Sequence, residues 1–293
     1  MTRKHPYTHW NTLPNGKPGE YLTDRLTVEA EQFIEQNKER PFFLYLSYYS
    51  VHTPLQAPKE RVAKYEKKPK GERHKNATYA AMVESVDRSV GRVMARLEKL
   101  GLAKNTVVIF TSDNGGHGRI TSHQPLRGNK GNFYEGGIRV PLIVKWPGVI
   151  KPDSTCKVPV ISTDYYPTLL AMTGQPARPK QHMDGRNLLP LLKQTGTVKR
   201  EALYWHYPNY IGAGHPGGAR PCSVIRSGDW KLIESFETNR LELFNLKEDL
   251  GEQNDLAAKM PAKAKALQQQ LAAWRAESKV QMPQRNPDYK AGE

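Results

Sequence analysis

The sequence predicts an α/β fold, a sheet flanked by helices over residues 1–197, followed by a small C-terminal α+β unit with an antiparallel sheet over 198–293. Three observations carry that expectation. Val107, Val108, Ile109 and Phe110 form an apolar, mostly β-branched run, long enough for a buried strand and too short for a helix. Just before it, Tyr79, Met82, Val83, Val86, Val90, Val93, Met94 and Leu97 recur at helical spacing within residues 76–100, and Gly101 offers a stop. A helix leading through a short loop into a strand is the alternation of a parallel sheet. Past residues 195–200 the texture changes to short strand-like runs broken by turns.

The chain has 293 residues, 38% hydrophobic and 25% charged, enough for one large or two modest soluble domains. No run approaches the ~18 apolar residues of a membrane span. The start, MTRKHPYTHW, lacks the apolar core of a secretory signal. A net charge of +15 favours anionic partners: nucleic acid, an anionic surface or a sulfated polysaccharide. Lys64 to Lys75 is the densest basic stretch. No zinc-finger spacing, RNP motif or helix-turn-helix signature accompanies the charge, so no specific nucleic-acid partner is expected. Cys156 and Cys222 are read as free thiols, although spacing alone leaves a bridge open.

In chain order, residues 1–21 read as loop, and Thr23 as the N-cap of a helix carrying Leu22, Leu26, Ala30, Phe33 and Ile34. PFFLYLSYY (41–49) reads as a second buried strand, which runs into SVHTPLQAP and places His52 just past its end. Ser162 to Met172 reads as a helix entry in which Asp164 is a cap rather than a catalyst. ALYWHY (202–207), CSVIRSG (222–228), WKLIES (230–235) and LELFNL (241–246), with Gly-Asp and Thr-Asn turns, predict an antiparallel meander. A helix from Leu256 to Glu277 with Leu267, Leu271 and Trp274 closes the chain. The loop 207–221 contains Tyr210, His215 and Arg220.

Chemistry concentrates between Val107 and Gly148. The strand delivers Asp113-Asn114-Gly115-Gly116, and strand ends of α/β sheets are where ligands bind. A carboxylate beside an amide oxygen is a hard donor pair suited to calcium or magnesium, though such a turn is often only a turn. Beyond it, Arg127, Lys130 and Arg139 lie among Gly128, Gly131, Gly136 and Gly137. Long cationic side chains on backbone that packs closely suit a tetrahedral oxyanion.

SDNGG followed by PLRGNKGNFYEGGIRVPLIVKWPG closely resembles the formylglycine-dependent sulfatases, a branch of the alkaline phosphatase-like superfamily. The resemblance implies a partial alkaline phosphatase-like sheet and, from R-S-G-D-W-K-L-I and L-F-N-L, the family's C-terminal subdomain. It also implies hydrolysis of sulfate esters of glycans or aryl compounds. Asp113 and Asn114 would be calcium ligands, with magnesium as the alternative. Lys130 would hold the sulfate and leaving-group oxygens, and His52, in H-T-P, would stand on the leaving-group side. His123 and Arg127, with His215 and Arg220 in the 207–221 loop, are the candidate substrate-binding residues.

The family's nucleophile arises in a C/S-x-P-S/T-x-R motif whose first residue becomes formylglycine. Neither Cys156 (C-K-V-P-V) nor Cys222 (C-S-V-I-R) fits it, and no strand followed by paired aspartates occurs. The expectation is the C-terminal portion of a longer sulfatase, periplasmic or extracellular as a whole. Turnover from these residues alone is expected to be negligible, with weak sulfate or calcium binding retained. One alternative is a phosphodiesterase or phosphonate-monoester hydrolase of the same superfamily, against which the Asp-Asn tip and the GNKG lysine speak. The other is a non-catalytic remnant that binds sulfated glycans through its charge.

Overall fold

The computed structural model describes residues 16–210, 220–284 and 286–287, so His215 lies outside the described residues. The chain packs as two compact units, Met1–Thr106 and Val107–Glu293. The boundary expected at residues 197/198 falls inside the second unit, just ahead of its larger sheet.

The first unit holds three helices, α1 (Leu22–Gln36), α2 (Lys59–Glu66) and α3 (Ala77–Lys99). α1 buries Thr23, Thr27, Ala30 and Ile34, a stripe at helical spacing. Facing it, α3 buries Ala81, Met82, Ser85, Ser89 and Leu97, whereas Val83 is 47% exposed. The buried face of α3 is therefore turned away from part of the expected large apolar stripe. Small residues let the helices approach, and hydroxyls satisfy one another there: Thr27 Oγ1 pairs with Ser89 Oγ, and Tyr48 OH lies 2.6 Å from the same atom. Arg61 of α2 donates to both oxygens of Asp24 (3.1 and 2.9 Å) and to Ser85 Oγ (2.8 Å). Asn76 caps α3 by accepting the Tyr79 N–H at 2.9 Å. Thr23 is not the N-cap of α1; Tyr21 holds that position, and Thr23 Oγ1 lies 2.7 Å from Ser50 Oγ.

Residues 41–49 correct the expected buried strand. They are extended but join no ladder among the described residues. The run is apolar on both faces and only one face is covered. Phe42 meets Phe33 edge-on at 5.8 Å, whereas Phe43, Tyr45 and Tyr49 are 70%, 80% and 53% exposed. Alternation with period two survives without a partner strand.

In the second unit, β1 (Val108–Thr111) pairs with β2 (Leu142–Lys145) in antiparallel register, Phe110 opposite Ile143. The parallel sheet expected from the helix–strand alternation is thus corrected: the intervening loop reverses the chain and brings back the next strand as an antiparallel neighbour. That loop contains the short helix α4 (Glu135–Ile138). α5 (Tyr165–Met172) and α6 (Leu189–Leu192) follow. Asp164, fully buried, holds the N-cap position of α5, but its side chain makes no cap hydrogen bond to that helix; it accepts the backbone N–H of Ile161 (2.9 Å) and Arg186 (2.8 Å) and pairs with Arg200.

The meander forms as expected. β3 (Leu203–Tyr207), β4 (Cys222–Ser227), β5 (Trp230–Ser235) and β6 (Leu241–Asn245) pair antiparallel in sequence order. Alternation along the strands gives the sheet two buried faces. Ile225, Leu232 and Leu243 pack on Ala264, Leu267 and Leu271 of α7 (Pro261–Glu277). Cys222, Val224, Ile233, Phe244 and Leu246 pack on Phe133 and Tyr134, which belong to the loop between β1 and β2. α7 starts later than expected because Pro261 stands at its first turn. Both cysteines are free, Cys156 exposed and Cys222 buried.

Candidate active site

β1 ends at Thr111 and hands the chain to Ser112-Asp113-Asn114-Gly115-Gly116, which interlocks with the segment Arg127–Arg139. Gly115 N–H donates to Gly137 O (2.9 Å), Lys130 N–H to Gly116 O (3.0 Å) and Gly136 N–H to Arg127 O (2.7 Å). A Cβ on Gly115 would sit 1.9 Å from Gly136 O, so only glycine permits this approach of two backbones. Gly131, directly after Lys130, has φ of 94° and turns the chain where an L side chain would be strained. The two loops form one hydrogen-bonded platform carrying Asp113, Asn114 and Lys130.

Asp113 is exposed, and its carboxylate enters no ion pair with a described residue. Asn114 spends its amide N–H on Gly115 O at 2.8 Å, which leaves Oδ1 as a free hard acceptor. Two oxygen donors of this kind suit calcium but supply only part of the six to eight oxygens it takes. Among the described residues no group of three or more His, Cys, Asp or Glu side chains could hold a metal ion. Lys130 is half-buried, and no described carboxylate pairs with its ammonium. A positive charge kept unneutralised beside glycine backbone is suited to an anion.

His123 Nε2 accepts the Gly116 N–H at 2.7 Å, so this nitrogen carries no proton and the ring helps hold the turn. Arg127 donates from Nη1 to Glu252 O (3.0 Å), lies 3.9 Å over the Tyr134 ring and stands 3.8 Å from Glu242. Arg220, before β4, pairs with Glu237 at 3.2 Å, and Tyr210 OH donates to the same carboxylate at 2.7 Å. In the first unit, His52 is exposed. Its Nδ1 lies 2.7 Å from Thr53 O and its ring 5.3 Å from that of Tyr49. A carbonyl partner requires the proton on Nδ1, leaving Nε2 outward. The second-unit platform thus gathers Asp113, Asn114, His123, Arg127 and Lys130, while Arg220 lies just before β4 and pairs with Glu237.

Sequence reasoning missed three charged residues beneath the platform. Lys231 Nζ lies 3.0 Å from Glu135 Oε1 and 2.8 Å from Glu252 Oε1, and all three side chains are at most 2% exposed. The second contact is ionic without hydrogen-bond alignment. Glu252 Oε2 accepts the Glu135 N–H at 2.6 Å. Burial holds the Glu252 carboxyl above its usual range against the pull of Lys231. Burial, then Glu242, raises the Tyr134 phenol, which donates to Glu242 at 2.9 Å. A signal was present: Lys231 shares a strand face with the buried Ile233, where alternation calls for an apolar residue.

Residues 2–175 match the family described as Sulfatase, and residues 129–279 match N-sulphoglucosamine sulphohydrolase, C-terminal. The chain is similar to a "Sulfatase" of Formosa agariphila, 38% identical over 288 residues, covering 89% of this chain and 51% of that protein. It is 39% identical over 202 residues to human steryl-sulfatase, covering 66% of this chain and 33% of the relative. Among solved structures, Ps i-CgsB in complex with k-i-k-neocarrahexaose superposes with a TM-score of 0.77 at 32% identity, over 89% of this chain and 56% of that one. The chain therefore spans about half the length, or less, of these relatives.

Proposed function

Because the chain belongs to the sulfatase family, we propose that its residues supply the oxyanion-binding and leaving-group side of a sulfuric ester hydrolase acting on sulfated glycans or sulfated small molecules. The observation that carries this reading is Lys130, half-buried on an interlocked glycine platform and without a described carboxylate partner. Its ammonium would bind the sulfate oxygens of the ester and hold the negative charge that grows there as the S–O bond to the alcohol breaks. His52 would deliver a proton from Nε2 to the departing alcohol oxygen only as the imidazolium; its Nδ1–H stays on Thr53 O, so the proton given up is the one on Nε2.

Asp113 and Asn114 Oδ1 would hold a calcium ion, which supplies Lewis-acid neutralisation of the sulfate group when bound. The formylglycine expected of the family has no precursor motif in these 293 residues, so attack on sulfur must be supplied from outside them. By its family the whole protein would work in the periplasm or outside the cell. No helix among the described residues is long and apolar enough to cross a membrane.

Calorimetric titration of the chain with sodium sulfate, balanced against sodium chloride at constant ionic strength, tests the reading. Wild type is expected to bind, and Lys130→Met to lose at least about tenfold in affinity. Sulfate binding unchanged in Lys130→Met would move the anion site elsewhere, to a diffuse basic surface such as the exposed Lys67–Lys75 segment.

A further inference from the structure

Lys130 lies in a loop whose packing and polar ties run in different directions. Phe133 and Tyr134 rest on the apolar face formed by Val224, Ile233 and Phe244, and contacts of that kind are non-directional. Apolar burial alone would hold the loop down without fixing where it sits along the sheet. One directional tie to the sheet is the Tyr134 hydroxyl, which donates to Glu242 of β6 at 2.9 Å; the others come from the buried charges. Glu252, at φ of 53°, offers its carbonyl to Arg127 (3.0 Å) and its carboxylate to the Glu135 N–H (2.6 Å). Arg127 and Glu135 are the two ends of the Lys130 loop, so one residue ties both. Lys231, rising from β5, sits between the Glu135 and Glu252 carboxylates at 3.0 and 2.8 Å. The other Glu135 oxygen faces Arg139 at 3.4 Å and Arg226 at 3.8 Å.

Buried ion clusters are poor sources of stability, since desolvation offsets most of the attraction, and well-packed neutral residues often do as well. What they offer is fixed geometry, because an ammonium between two carboxylates has few satisfactory positions. We propose that Lys231, Glu135 and Glu252 are positioning residues that set the Lys130 loop in register for oxyanion binding. The proposal rests on the reading of Lys130 as the sulfate-holding lysine. Arg127 then belongs to the same device, with its guanidinium turned to Glu252 and Tyr134.

The test is sodium sulfate titration of the 293-residue chain at constant ionic strength, with amide hydrogen exchange followed over residues 128–134. Lys231→Met is compared with the charge-free triple variant Lys231→Met/Glu135→Gln/Glu252→Gln, which leaves no carboxylate unpaired. The triple variant is expected to melt near the wild-type temperature yet bind sulfate about tenfold more weakly or worse, with faster exchange in 128–134 and unchanged protection in β4 and β5. Lys231→Met, if folded, is expected to lose at least as much affinity. A folded triple variant with wild-type affinity and exchange would overturn the proposal. Failure of both variants to fold would also overturn it, since the cluster would then support the whole unit rather than the loop. Wild-type chain that binds no sulfate defeats the Lys130 reading itself, a result visible before any of these variants is made.

Discussion

Cys156 and Cys222 are the same residue in two environments, and their chemistry should differ accordingly. Burial pushes the Cys222 thiol up to about 12, so almost none of it is thiolate at neutral pH, while Cys156 is exposed. A disulfide reagent at pH 8 is expected to modify one thiol per native chain, and the second only after denaturation. Rapid modification of both in native protein would contradict the packing of β4. Asp255 gives a pH-dependent counterpart. Burial works to raise its carboxyl, but the N–H groups of Ala257 and Leu243 and the Arg240 guanidinium outweigh burial and leave it below the ordinary range. A depressed folded-state value contributes stability above the unfolded value of about 3.9, and that contribution fades as pH falls through the folded one. Urea denaturation should therefore show Asp255→Asn weaker than wild type at pH 6, with the gap narrowing as pH falls below about 4. An undiminished gap at pH 3 would show that charge is not what Asp255 contributes. At this scale the position of Asp164 at the start of α5 was legible, because an Asp stood before an apolar helical run, but its partners, the Ile161 and Arg186 N–H groups, were not. Lys231 was not: its burial depends on Glu135 and Glu252, distant in sequence and adjacent only once the sheet forms.

The elements that could be read from the sequence were those whose stabilising contacts are local or repeat along the chain. α3 has a strong apolar period, a side-chain cap and a glycine stop, and its ends fall within a residue of expectation. The cap is separable from the rest. Asn76→Ala removes the acceptor for the Tyr79 N–H and should cost about 1 kcal/mol, read as a lower urea midpoint with unchanged slope. No change in midpoint would mean that packing against α1 alone defines the helix start. The four-stranded meander was legible because turn residues such as Gly228 (φ 59°) and Asn239 (φ 51°) punctuate it. Residues 41–49 and the β1–β2 pair were misread for a shared reason. Apolar, β-prone residues announce an extended chain, but which strand pairs with it, and in which direction, is set by distant segments. The glycines of the 115–137 platform were seen in the sequence; that they lock two loops together by backbone hydrogen bonds was visible only in three dimensions.

For the whole molecule, the sulfatase resemblance was strongest in one contiguous stretch, Val107 to Gly148, with further matches at H-T-P and in the C-terminal strands, and the fold it implied is the one this chain shares with its relatives. On the proposed reading its residues would serve half of a reaction, with Lys130 on the sulfate and His52 on the leaving group; no nucleophile motif occurs in the chain, which spans about half the length of its bacterial relative. The claim that these residues serve sulfate-ester hydrolysis can be tested by supplying the other half. In a chimera, this chain would replace the matching part of the Formosa agariphila relative, and kcat/KM would be measured for an aryl sulfate and for an aryl phosphodiester. The account predicts a preference for the sulfate ester that Lys130→Met reduces by about 10²–10³-fold. A folded chimera that cleaves the phosphodiester faster, or that keeps full sulfatase activity without Lys130, would contradict it.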